Sequence, residues 1–173
     1  MPKLTAPIVT AGLAALALAG CGSSKAPGVE LAPSAGATQA VAAAPPKIPA
    51  AIASKPTVTP SNCATKQLVK KDLVTGAGQT VQPGQTVTVN YVGVLCATGK
   101  EFDSSWKRNQ PATLPLTPTG VIPGWVQGIP GMRVGGRREL IIPASLAYGK
   151  AGRPPTIPPN SPLVFVVDVI SVA

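Results

Sequence analysis

Apolar and polar positions follow two regimes along this 173-residue chain. From residue 64 onward, short runs alternate with a period of two. Thr86-Val87-Thr88-Val89-Asn90-Tyr91 sets Val87, Val89 and Tyr91 on one face, the pattern of a half-buried strand. Arg138-Glu139-Leu140-Ile141-Ile142, stopped by Pro143, predicts a second strand, and Leu163 to Val169 a third whose inner face carries Leu163, Phe165, Val167 and Val169. Leu68 to Leu73 and Ala112 to Leu116 are weaker strand candidates. Turn residues separate these runs at Gly76, Pro83-Gly84, Ala97-Thr98-Gly99 and Thr119-Gly120. One short helix is predicted over Gly124 to Ile129, led by Pro123, which suits a first helical turn. Mostly antiparallel strands around one short helix predict an α+β or barrel-like domain over residues 61–173.

The first sixty residues show no such period. Residues 1–20 read as a secretory signal, with Lys3 in a short positive segment and an apolar stretch from Ala11 to Ala19. That stretch is too short to span a bilayer, which needs roughly 20 apolar residues. Leu18-Ala19-Gly20-Cys21 then resembles a bacterial lipobox, in which small residues precede a cysteine that is lipidated and becomes the new N-terminus. The other reading is an ordinary signal followed by a coincidental cysteine. Two acyl chains hold a protein stably on a membrane. The expected location is therefore extracytoplasmic, lipid-anchored through Cys21 to the bacterial cell membrane or facing the periplasm. Residues 21–60, rich in Ala, Pro, Gly, Ser and Thr and free of aromatics, predict a disordered tether. As a flexible coil it would reach roughly 35 Å.

Composition narrows the chemistry. There is no histidine, and three cysteines cannot form a four-thiolate site, so His-dependent hydrolases and zinc or iron centres of those kinds are excluded. Six acidic residues leave little for a two-carboxylate hydrolase or a calcium cage. Neither a metal nor a cofactor is expected. A net charge of +9 invites an anionic partner, but the charge is dispersed and no aromatic ladder accompanies it, so nucleic acid is not expected as a partner. Nothing demands more than a monomer. Cys63 and Cys96 form an even pair beyond Cys21, and in an exported chain they predict a disulfide stabilising by roughly 3–4 kcal/mol; two buried free thiols are the alternative. All aromatics, Tyr91, Phe102, Trp106, Trp125, Tyr148 and Phe165, lie after residue 90.

Several segments stand in a recognisable order: Asn90-Tyr91-Val92-Gly93, Glu101-Phe102-Asp103-Ser104-Ser105 with Arg108-Asn109 after it, Val121-Ile122-Pro123-Gly124-Trp125, Leu146-Ala147-Tyr148-Gly149, and Ile157-Pro158-Pro159-Asn160 leading into Leu163-Val164-Phe165. Together they resemble the FKBP family, the macrolide-binding peptidyl-prolyl isomerases. The resemblance implies a five- to six-stranded antiparallel half-barrel sheet wrapped around one short helix. It also implies a catalytic pocket of Tyr91, Phe102, Asp103, Trp125, Tyr148 and Phe165, with Val121, Ile122, Ile157 and Arg108 as substrate- or macrolide-binding residues. Proline-containing exported polypeptides are the implied substrates, and macrolides of the tacrolimus and rapamycin type the implied inhibitors. A non-catalytic module of the same fold, binding proline segments as a chaperone or scaffold, is the alternative. Ala112, where relatives often carry an aromatic, and the flap residues Arg153 and Thr156 depart from the family pattern. Trp106 has no family role and is expected to cap an apolar surface.

Overall fold

A computed structural model describes residues 49–173. The signal segment, Cys21 and the tether up to residue 48 lie outside the described residues. Six strands and one α-helix follow in the order β1 (Val69–Val74), β2 (Thr86–Leu95), β3 (Glu101–Ser104), β4 (Ala112–Pro115), α1 (Pro123–Gly128), β5 (Arg137–Ile142) and β6 (Leu163–Val172). They form an antiparallel sheet in the order β1-β5-β6-β2-β3, with β4 also paired to β2. β2 and β6 are its spine, paired from Val87 opposite Val172 to Leu95 opposite Leu163, with a shift of register between Thr88 and Val89. All five strand candidates and the helix are found within one or two residues of their expected starts. β3 was not among them, because Glu101-Phe102-Asp103-Ser104 has one apolar residue and no alternation.

The inner face of the sheet carries the main core. Val87, Val89 and Tyr91 from β2, Leu140 and Ile142 from β5, and Leu163, Phe165, Val167 and Val169 from β6 are buried there with Trp125 and Ile129. The helix lies close to β5 because two of its positions lack side chains. A Cβ on Gly124 would collide with Ile142 Cγ2, and one on Gly128 would sit 2.8 Å from Leu140 Cδ2. Pro123 opens the helix at its first turn, as expected.

The opposite face is also dry, and this corrects the expected domain boundary. Val92, Val94, Ile141 and Val164 point away from the main core, yet they are buried in a second apolar cluster with Cys96. Residues 49–63, most of them assigned from sequence to the tether, lie against this face. A 3-10 turn at Ala50–Ile52 buries Ile52 to 1% exposure. The Ser54 carbonyl accepts a 2.8 Å hydrogen bond from Arg137 Nη2, and Lys55 pairs with Glu101 at 2.8 Å. Val58 packs on the second cluster, and Cys63 is joined to Cys96 by the expected disulfide. Ile52, Ser54, Lys55 and Val58 are thus packed with or bonded to the domain that was expected to start at residue 61. Composition hid this, because one isoleucine and one valine among prolines and alanines have no period. Trp106 packs against the same cluster, as its capping role predicted.

Candidate functional site

One end of the inner face is open. There the sheet, the helix and the segments around Val121 and Tyr148 enclose a concavity of about 140 Å³. Tyr91 and Phe165 reach it from β2 and β6, Phe102 and Asp103 from β3, and Trp125 from α1. Val121, Ile122 and Tyr148 complete the rim with Leu114 and Gly120. The rings meet edge to face around Phe165. Trp125 lies 5.3 Å from both Tyr91 and Phe165, at 84° in each case, and Phe102 lies 5.5 Å from Phe165 at 88°. Such pairs contribute about 0.5–1.5 kcal/mol each beyond their buried area, so the cage holds its shape.

Its polar groups divide into a closed set and an open set. In the closed set, the Tyr91 hydroxyl donates to Asp103 Oδ2 at 2.6 Å. Arg108 donates from Nη1 to Asp103 Oδ1 at 2.6 Å and from Nη2 to the Tyr91 oxygen at 2.8 Å. The Ser104 N–H also bonds Asp103 Oδ1, at 2.8 Å. Burial acts to raise the Asp103 carboxyl, but the bonds from Tyr91 and Arg108 outweigh it and hold the group below the ordinary aspartate value. Burial, reinforced by the neighbouring carboxylate, pushes the Tyr91 phenol up. At neutral pH this triad is a fixed carboxylate, a neutral phenol and a guanidinium. None of the three is poised to move a proton.

The open set is three donors. The Ile122 N–H and the Tyr148 hydroxyl have no partner among the described residues. The indole N–H of Trp125 is buried in the floor without an acceptor. An apolar concavity with a few unused donors at its rim matches the makeup of small-ligand sites.

The structure gathers Tyr91, Phe102, Asp103, Val121, Ile122, Trp125, Tyr148 and Phe165 into this one concavity. Ile157 lines an adjoining cavity instead, and Arg108 acts from behind by locking Tyr91 and Asp103. Ala112 is not a wall of the concavity; it packs on the main core from β4 while Leu114 forms the wall. Leu114 was missed although it alternates with Ala112 and Leu116, which marks it as inward-facing. Gly93 was missed as well. It pairs with Phe165 across β2 and β6, and a Cβ there would come within 2.7 Å of Phe165 and 2.8 Å of Phe102. Two pocket rings occupy the space a side chain would take.

Comparison with known proteins agrees with this geometry. Residues 77–170 match the profile of the FKBP-type peptidyl-prolyl cis-trans isomerase family. An FK506-binding protein of Streptomyces anulatus is 53% identical over 61% of this chain and 86% of its own length. FkpA of Escherichia coli, named an FKBP-type peptidyl-prolyl cis-trans isomerase, is 48% identical over 61% of this chain and 37% of its own length. The crystal structure of FkpA from Escherichia coli superposes with a TM-score of 0.57 at 43% identity, covering 70% of this chain and 54% of that one. The chain belongs to the FKBP-type peptidyl-prolyl cis-trans isomerase family.

Proposed function

We propose that this protein isomerises X-Pro peptide bonds and so speeds the folding of exported polypeptides from a lipid anchor at Cys21. The observation that carries the catalytic part is the aromatic concavity with unused donors, beside an Asp103 carboxylate and a Tyr91 phenol that are locked to each other and to Arg108. Rotation about the imide bond meets a barrier of roughly 18–20 kcal/mol, and uncatalysed X-Pro isomerisation takes tens to hundreds of seconds. The barrier is lost amide resonance. No bond breaks and no proton need move, so a site without histidine is sufficient.

The planar imide has a strongly polarised carbonyl that water solvates well. In the twisted state the carbonyl is less polar and the nitrogen becomes a better acceptor. Phe102, Tyr91, Trp125, Phe165 and Val121 receive the proline ring and strip water from the imide. That raises the planar state relative to the twisted one, which is preferential binding of the transition state. The Ile122 N–H and the Tyr148 hydroxyl donate to substrate carbonyls and fix the orientation. Asp103 is not a general base; with Arg108 it holds the Tyr91 ring upright. Macrolides of the tacrolimus and rapamycin type are proposed to occupy the same concavity, in keeping with the names of the relatives.

Export and anchoring rest on the Leu18-Ala19-Gly20-Cys21 segment and are supported by the Cys63–Cys96 disulfide, since disulfides persist in oxidising compartments. Trp125→Leu and Phe102→Leu are expected to lower kcat/KM toward an X-Pro peptide by at least about tenfold while the domain stays folded. Full activity in both folded variants would refute the pocket assignment. Stoichiometric protection of a client from aggregation, with no acceleration of isomerisation, would favour the non-catalytic binding module.

A further inference from the structure

A second cavity of about 320 Å³ adjoins the proline pocket and shares Phe102, Asp103 and Tyr148 with it. Its far wall is the flap, with Arg153, Thr156 and Ile157. The flap is closed by its own backbone: the Arg153 N–H donates to the Ile157 carbonyl at 2.8 Å, and the Ile157 N–H returns to the Arg153 carbonyl at 2.9 Å. The base of the Arg153 side chain is thereby fixed at the junction of the two cavities, with its guanidinium 5.9 Å from the centre of the Tyr148 ring.

Arg153 has no carboxylate partner among the described residues, and the pattern of ion pairs explains why. Of the five described acidic side chains, Asp72, Glu101, Asp103 and Asp168 are held by Arg138, Lys55 with Lys107, Arg108 and Arg137, and the fifth, Glu139, lies on β5 and lines neither cavity. Asp103 is the one carboxylate that lines either cavity. Both of its oxygens are already bonded, to Arg108, Ser104 and Tyr91. Arg153 is therefore a positive charge with no ion-pair partner among the described residues, on the wall of the cavity that adjoins the proline pocket at Tyr148, and the exposed Lys150 lies three residues before it.

We propose that Arg153 makes this enzyme select proline segments that carry a glutamate or aspartate next to the proline, on the side that crosses Tyr148. The guanidinium fork matches a carboxylate with two parallel bonds, and the second cavity has room for an acidic side chain beside the exposed Thr156. The selection rests on the isomerase reading and adds substrate class to it. Because the contact lies away from the twisting bond, it acts on planar and twisted substrate alike, and the preference falls in KM more than in kcat.

The test uses the full oxidised chain and X-Pro tetrapeptides that differ only by Glu, Gln or Lys before or after the proline. Peptide affinity is read alongside by tryptophan fluorescence. At low salt the Glu peptide is expected to exceed the Lys peptide by about three- to tenfold in kcat/KM at one flanking position, the range an exposed ion pair supports when attraction and repulsion are compared. The ratio should shrink at high salt, approach one in Arg153→Gln, and invert in Arg153→Glu. A wild-type ratio of one, or a ratio that the two variants leave unchanged, overturns the proposal. The Gln peptide reports separately on the isomerase reading. If it is bound but not turned over, that reading fails, and the affinity ratio still decides the role of Arg153.

Discussion

Replacing Ile52 by alanine tests whether residues 49–63 belong to the folded domain. Ile52 is 1% exposed, in a segment with no α-helix or strand of its own. Truncating a buried isoleucine to alanine costs about 2–5 kcal/mol, and a site on a strap that can settle inward belongs to the lower half of that range. The expected loss is about 2–3 kcal/mol. For a domain of this size roughly 4 °C of Tm follows each kcal/mol, so Tm should fall by roughly 10 °C. Lys55→Ala should cost less than about 1 kcal/mol, since the Lys55 side chain is 42% exposed and its pair with Glu101 is partly solvated. Because the strap covers the face opposite the pocket, kcat/KM of Ile52→Ala at 25 °C should match wild type. Thermal melts followed by near-ultraviolet circular dichroism, with denaturant titration for ΔG, give both numbers. A Tm shift below about 2 °C would refute the reasoning, for it would mean that the burial of Ile52 adds little to the folded domain.

Other consequences are open to measurement. Gly93→Ala should displace Phe165 and Phe102, costing about 1–3 kcal/mol in stability and lowering isomerase kcat/KM at least about tenfold; unchanged activity would show that the rings need not stand where they do. The pH profile of kcat/KM should be flat from about pH 5 to pH 9. Asp103, held below the ordinary aspartate value, keeps its charge down to that range and loses the associated stabilisation only as pH falls through its lowered value, while Tyr91, pushed up, stays protonated. A bell-shaped profile near neutrality would point to acid–base chemistry instead. Tyr148→Phe should raise KM or lower kcat by several-fold without shifting Tm by more than about 2 °C, since the hydroxyl has no partner to lose among the described residues. Reduction of Cys63–Cys96 should cost about 2–4 kcal/mol and leave the pocket active at 25 °C, seen as a lower Tm with unchanged kcat/KM.

Much of this molecule was legible before its structure was. Alternation gave β2 and β6 their inner faces, because a period of two has only one register that buries Val87, Val89 and Tyr91 together. The ordered motifs located the pocket aromatics. What escaped has physical reasons. β3 is held by pairing to β2 and by the bonds of Asp103, not by an apolar pattern of its own. Gly93 matters for the side chain it lacks, and an absent atom leaves no sign in hydropathy. Residues 49–60 read as tether because Ile52 and Val58 are isolated among small residues; only the dry outer face of the sheet reveals that something must cover it. Ile157 went to the neighbouring cavity, since a flap's path cannot be read from the order of its residues.

The most direct test of the central claim is cis-to-trans relaxation of a short X-Pro peptide by the oxidised chain, with and without tacrolimus. The account predicts acceleration at substoichiometric protein and its abolition when the macrolide fills the concavity around Trp125. A folded protein that leaves the uncatalysed rate unchanged would contradict it.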